Sequence, residues 1–189
     1  MTMTSFLRNI RLTFAISSMT IGSIAAATLA VLCGLYLSLS ASVSRDQDRA
    51  IRDTTRIAAQ ILQVNLPSLE VALDDTGNVA ALTARNMPRF RTHDVIDAVA
   101  AVAGQDVAVY VYDPETSPDM LVGSTSLKDA GGERRTDLNL APGTPEFDAL
   151  MANRPASSEA SHGQKNYLVS YWPIATAEGQ VIGALMVAV

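Results

Sequence analysis

Thirty-three consecutive residues, Leu12 to Ser44, carry no charge. A helix of about 20 apolar residues crosses the hydrocarbon layer of a bilayer, and the run from Phe14 to Leu39 is long enough to do so once. The 145 residues beyond Ser44 must then lie in water on one side of that membrane. A cleaved signal peptide is the rival reading. Arg8 and Arg11 supply its basic flank, and Ser40-Ala41-Ser42 supplies a small-residue cleavage site. The apolar stretch of a signal peptide spans only about 7–15 residues, so a retained anchor is the expected form.

This length sets the expected organisation. Residues 1–11 form a cytoplasmic N-terminus, 12–40 a transmembrane helix, 41–66 a stem helix and 67–189 the domain outside the membrane. Arg45, Arg49, Arg52 and Arg56 follow the span and oppose this orientation on a count of positive charges, but long domains are exported largely regardless of such charge. The inner membrane, with the domain in the periplasm, is the expected location. The chain has 14 basic and 19 acidic residues. Only Arg8 and Arg11 precede the run, which leaves 12 basic against 19 acidic beyond it. That balance argues against a nucleic-acid partner, because binding DNA or RNA takes a basic surface.

Cys33, the one cysteine, lies inside the apolar run, so the domain beyond it has neither a disulfide nor a cysteine zinc site. His93 and His162 stand apart from each other, and no metal or cofactor is expected. Asp74-Asp75-Thr76-Gly77-Asn78 reads as a turn, since Asp, Gly and Asn supply turn geometry.

From Arg45 to Leu66 the pattern is helical. The four arginines share one stripe, while Ile51, Thr54, Ile57, Ala58 and Ile61 form the apolar side at the 3.6-residue period. Pro67 ends it. LEVAL (69–73) and VAALT (79–83) flank the Gly77 turn as a hairpin. Met87 to Phe90 reads as a further short edge strand. DVIDAVAAVA (94–103) is an amphipathic helix closed by Gly104.

The period then switches to that of a strand. DVAVYVYD (106–113), MLVGSTSL (120–127), NYLVSYWPI (166–174) and GQVIGALMVAV (179–189) are β-branched or aromatic runs. TPEFDALM (144–151) is a short helix with Thr144 as cap and Pro145 at its first position. The expected fold is α+β: a stem helix, then an antiparallel sheet of five to six strands with short helices across one face.

The order VAVYVYD, MLVGSTSLKDAGGERR, TPEFDALMANR, KNYLVSYWPI and GQVIGALMVAV resembles the extracytoplasmic Cache sensor region of bacterial methyl-accepting chemotaxis proteins, in its Cache 3/Cache 2 fusion, single-Cache-like form. The resemblance implies a PAS-like sheet whose pocket binds a small molecule such as an organic acid or amino acid. It further implies a homodimer signalling across the membrane through a second helix, which would follow Val189. This sequence departs from the family pattern at Val122 and Ser126, where Arg and Asn are usual, and at Leu138-Asn139, where Gly-Thr is usual; Thr125, Arg135, Tyr167, Tyr171 and Pro173 match.

On that resemblance and on strand alternation the candidate ligand-binding residues are Tyr110, Tyr112, Thr125, Arg135, Tyr167 and Tyr171. Tyr110 and Tyr112 share one face of their strand, and Tyr167 and Tyr171 one face of theirs. No enzyme is expected: the domain has no phosphate-binding glycine loop, no nucleophile elbow and no zinc-protease motif. The input domain of a histidine kinase or cyclase, or a stand-alone anchored binding domain, are the alternatives.

Overall fold

The structure, a computed structural model, describes residues 27–36, 49–129, 131–162 and 165–189. The chain divides into two compact units, Met1–Asp46 and Gln47–Val189. In the first, residues 27–36 form helix α1, on which Leu29, Val31, Leu32, Leu35 and Tyr36 are exposed. The transmembrane helix expected over 12–40 falls mostly outside the described residues. Among the described residues no helix is long and apolar enough to cross a membrane.

The second unit opens with helix α2 (49–65). Its buried stripe is Ile51, Thr54, Thr55, Ala58, Ala59 and Leu62, a helical i, i+3, i+4, i+7, i+8, i+11 series. Ile51, Thr54 and Ala58 lie on it as the sequence led one to expect, but the stripe is rotated away from Ile57 and Ile61, which are only half-buried. The small side chains of Ala58 and Ala59 let the helix approach the sheet closely, so the bulkier isoleucines flank the contact. Arg49 and Arg52 are exposed, and Arg56 pairs with Asp53 one turn earlier at 3.3 Å.

Eight strands follow: β1 (Leu69–Leu73), β2 (Val79–Ala84), β3 (Asp106–Val111), β4 (Met120–Thr125), β5 (Asn139–Leu140), β6 (Ala156–His162), β7 (Lys165–Ala175) and β8 (Val181–Ala188). Helix α3 (Asp94–Ala103) precedes β3, and α4 (Pro145–Met151) precedes β6. The sheet runs β1-β2-β7-β8-β3-β4-β5, with β6 also on β7. Along one edge of β7, β6 pairs from Lys165 to Tyr171 and β2 takes over at Ile174 and Ala175. The β2–β7 pairing is parallel. The sheet is therefore mixed and eight-stranded, not an antiparallel sheet of five to six.

The undercount has two causes. β5 is two residues long, and β6 (ASSEASH) lacks the β-branched and aromatic residues that mark strands in sequence. Ladder hydrogen bonds to the long edge of β7 make it a strand all the same. The edge strand expected at Met87 to Phe90 is irregular chain instead, because Pro88 removes a ladder donor. Gly183 on β8 tolerates no side chain: a Cβ there would run into the backbone carbonyl of Tyr110.

Strand alternation sorts the core into two layers. Val107, Val109, Ile174, Leu185 and Val187 point to one face, under α2 and α3 with Leu62, Ile96 and Val99. Ala108, Tyr110, Val169, Tyr171, Ala184 and Met186 point to the other, with Leu140 of β5 and Phe147 and Leu150 of α4.

Helix α3 is closed by Gly104 in the left-handed conformation, φ 67°, its N–H donating to Ala100. On α4 the Thr144 hydroxyl accepts from the Phe147 N–H at 3.3 Å and Pro145 occupies the first turn. The Asp74 carboxylate accepts from the backbone N–H groups of Thr76 and Asn78, at 2.9 Å each, which builds the hairpin turn read in the sequence.

Candidate functional site

The second face of the sheet is incompletely filled. A cavity of about 190 Å³ opens between β3, β7, β8 and the β4–β5 connection. Tyr110, Tyr167 and Tyr171 supply its aromatic walls, and Val169, Met186 and Ala188 its floor. Leu127, Leu138 and Arg135 come from the connection, and Ala160 of β6 forms the lip. Larger, shallower clefts border other edges, among them one of about 580 Å³ beside Pro67 and Arg85. The tyrosine cavity is set apart by buried phenols and a guanidinium converging on an apolar interior, the usual make-up of a small-molecule site.

Tyr110 and Tyr171 are both buried, and their rings meet edge-to-face at 6.0 Å between centroids. Burial pushes the Tyr110 phenol well above its ordinary pKa; Tyr171 adds to the rise and Arg135 opposes it. The Tyr171 phenol is raised too, first by burial and then by the Glu146 carboxylate, with a hydrogen bond to Ser158 acting the other way. Both hydroxyls stay protonated near neutral pH and can donate as well as accept.

Two consecutive arginines serve opposite faces. Lys128 and Arg134 form a β-bridge, so the 127–135 segment is a short hairpin in which neighbouring side chains diverge. Arg134 points toward α3: its guanidinium donates to both carboxylate oxygens of Asp97, at 2.8 Å and 2.5 Å, and to the Thr125 carbonyl at 2.6 Å. Arg135 points into the cavity side. Its Nε and Nη2 donate to the two Asp137 oxygens at 2.7 Å and 3.1 Å. That ion pair, reinforced by the nearby Asp129 and opposed by some loss of solvent, raises the Arg135 pKa.

Four of the six residues singled out in the sequence thus meet: Tyr110, Arg135, Tyr167 and Tyr171. Tyr112 lies farther along and packs edge-to-face on Phe147 of α4 at 5.7 Å. Thr125 is fully buried, its hydroxyl accepting from the Leu127 N–H at 3.0 Å, and it shapes the turn rather than the wall. Val169, Met186 and Ala188 were not singled out, although alternation with Tyr171 and along β8 points to that face. Ala160 carries no such signal, because its strand is invisible in the sequence.

The model of the single Cache domain 3 family matches residues 89–189, from just before α3 to the last residue. This chain belongs to the single Cache domain 3 family. Cache domains are small-molecule sensing modules of signalling proteins, usually extracytoplasmic. Every residue lining the tyrosine cavity of this Cache domain lies within the matched segment. A GAF domain from a phosphoenolpyruvate-protein phosphotransferase of Coxiella burnetii has a similar chain path. The TM-score is 0.43 at 15% identity over 74% of this chain and 78% of that one, too slight to carry an argument. No curated protein matches the chain.

His93 donates or accepts at Nδ1 with the Ser124 hydroxyl, 2.8 Å away, which ties the start of α3 to β4. Among the described residues no group of His, Cys, Asp and Glu could hold a metal ion.

Proposed function

We propose that this Cache domain is the extracytoplasmic sensing region of a membrane-anchored bacterial chemoreceptor, and that its small-molecule ligand occupies the cavity walled by Tyr110, Arg135, Tyr167 and Tyr171. The observation that carries the reading is this cavity, built on the central strands β3, β7 and β8 and inside the family-matched segment. The uncharged run from Leu12 to Ser44 supports the anchor, as do the exposed apolar side chains of α1. Val64 at 83% exposure and the half-buried Ile57 and Ile61 leave apolar surface along α2, which suits a second copy of the chain.

A route outward from the site also exists. β8 puts Met186 and Ala188 in the cavity and Leu185 and Val187 in the opposite core. A ligand that prefers one position of β8 shifts the population of that position, and differential affinity is all this requires.

Thermal unfolding of the detergent-solubilised chain against organic acids, amino acids and their uncharged analogues tests the sensing role. A ligand at about 100 times its Kd adds about 2.7 kcal/mol of stability, several degrees in the midpoint for a domain of this size. No rise with any compound counts against the proposal. In the reading frame beyond Val189, an apolar run of about 20 residues followed by heptads supports the chemoreceptor, whereas a phosphotransfer helix supports a kinase.

A further inference from the structure

The guanidinium at the tyrosine cavity is already paired with a carboxylate, and this bears on the ligand. Among the described lining residues Arg135 is the one cation, and its guanidinium is held in a two-point pair by Asp137. Half-buried Glu146 adds a carboxylate whose charge is felt at Tyr171. An organic anion entering this space therefore meets a neutralised guanidinium and one further negative charge. Stripping water from a carboxylate costs several kcal/mol unless an available cation repays it. An uncharged amide or hydroxyl costs far less to desolvate, and tyrosine hydroxyls can satisfy it.

We infer that the cavity takes an uncharged ligand, a single ring or short aliphatic body bearing an amide or hydroxyl group, in place of the organic acid or amino acid that the family resemblance implies. A 150 Å³ apolar cavity accepts about one benzene, so 190 Å³ admits one ring with a small substituent. Leu127, Leu138 and Met186 provide the apolar contact for that body. Asp137 itself is exposed, so the pair lies at the rim and sets specificity from there. This inference rests on the reading of the cavity as the sensing site.

Isothermal titration of the full chain in detergent micelles, corrected for partition into empty micelles, tests it. The probes are isosteric pairs: benzamide and benzoate, 4-hydroxybenzamide and 4-hydroxybenzoate, butyramide and butyrate. The amide is expected to bind at least about 10-fold tighter in every pair that binds, the value of one charge-assisted contact. A carboxylate that binds as well as its amide overturns the inference and leaves the sensing reading standing. If neither member of any pair binds, both fall.

Asp137→Asn unmasks the guanidinium and should move the ratio about 10-fold toward the carboxylate; an unchanged ratio overturns the role given to the pairing. Leu138→Trp fills the rim and should abolish binding of every probe. Binding that survives it lies elsewhere and overturns both readings.

Discussion

The two faces of the central sheet are made by the same strands and have opposite character. On β3, Val107 and Val109 go to the face under α2 and α3, and Ala108 and Tyr110 to the other; on β8, Leu185 and Val187 oppose Ala184 and Met186. The first face is closed by aliphatic side chains on two helices. The second is covered by the seven-residue α4 and the long β4–β5 connection, and it retains a cavity walled by phenols. Short, loop-rich cover leaves space where a helix would fill it. One period-2 pattern thus provides a closed core on one side and an open cavity on the other.

Paired truncations on neighbouring residues of β8 test this contrast most directly. Leu185 is fully buried in the closed face, and Leu185→Ala should cost about 2–5 kcal/mol in chemical denaturation, as large-to-small changes in tight cores do. Met186 borders the existing cavity, and Met186→Ala should cost about half as much, because it enlarges a space that is already open rather than creating a new one. Equal losses would mean that the second face is packed as tightly as the first.

A smaller effect is expected from the cover of the cavity face. Thr144→Ala removes the cap of α4 and should cost about 1 kcal/mol. Ligand affinity should fall with it, since Phe147 and Leu150 hold α4 to that face. Loss of stability with unchanged affinity would separate α4 from the cavity.

The smallest effect concerns the bridge between the faces. The Arg134 guanidinium holds the Asp97 carboxyl below the usual carboxylate range. A lowered native pKa means that the unfolded chain binds more protons near pH 4, so the stability from this pair is present above about pH 4 and is lost as pH falls through the native value. Asp97 is 45% exposed in its side chain, so the contribution is modest. The urea midpoint of Asp97→Asn should lie slightly below that of the native chain at pH 7 and converge with it in acid. A gap that persists in acid would assign the effect to something other than this pair.

Much of the secondary structure was legible in the sequence because local rules governed it. Gly104 ends α3 because a left-handed residue is needed there, and Thr144-Pro145 starts α4 through a hydroxyl acceptor and a preset φ. Both are decided within a few residues. β6 was not legible, since ASSEASH becomes a strand only where β7 offers it an edge. The buried stripe of α2 was misplaced for a related reason. Hydrophobicity favoured Ile57 and Ile61, whereas close approach to the sheet favoured Thr55 and Ala59 beside the expected Ala58.

The candidate site divides along the same line. Alternation alone puts Tyr110 and Tyr112 on one side of their chain, but distance along the strand sends one to the cavity and the other to Phe147.

By itself, then, the sequence determined the uncharged N-terminal run, the alternating strands, most helix ends and the family resemblance, because each depends on residues close together in the chain. Only the tertiary structure decided which tyrosines share a cavity, that Arg134 braces α3 while Arg135 faces the opening, and that Asp137 pairs with that guanidinium. Those outcomes depend on side-chain direction at a hairpin and on contacts between elements far apart in sequence, and neither is encoded in any local pattern.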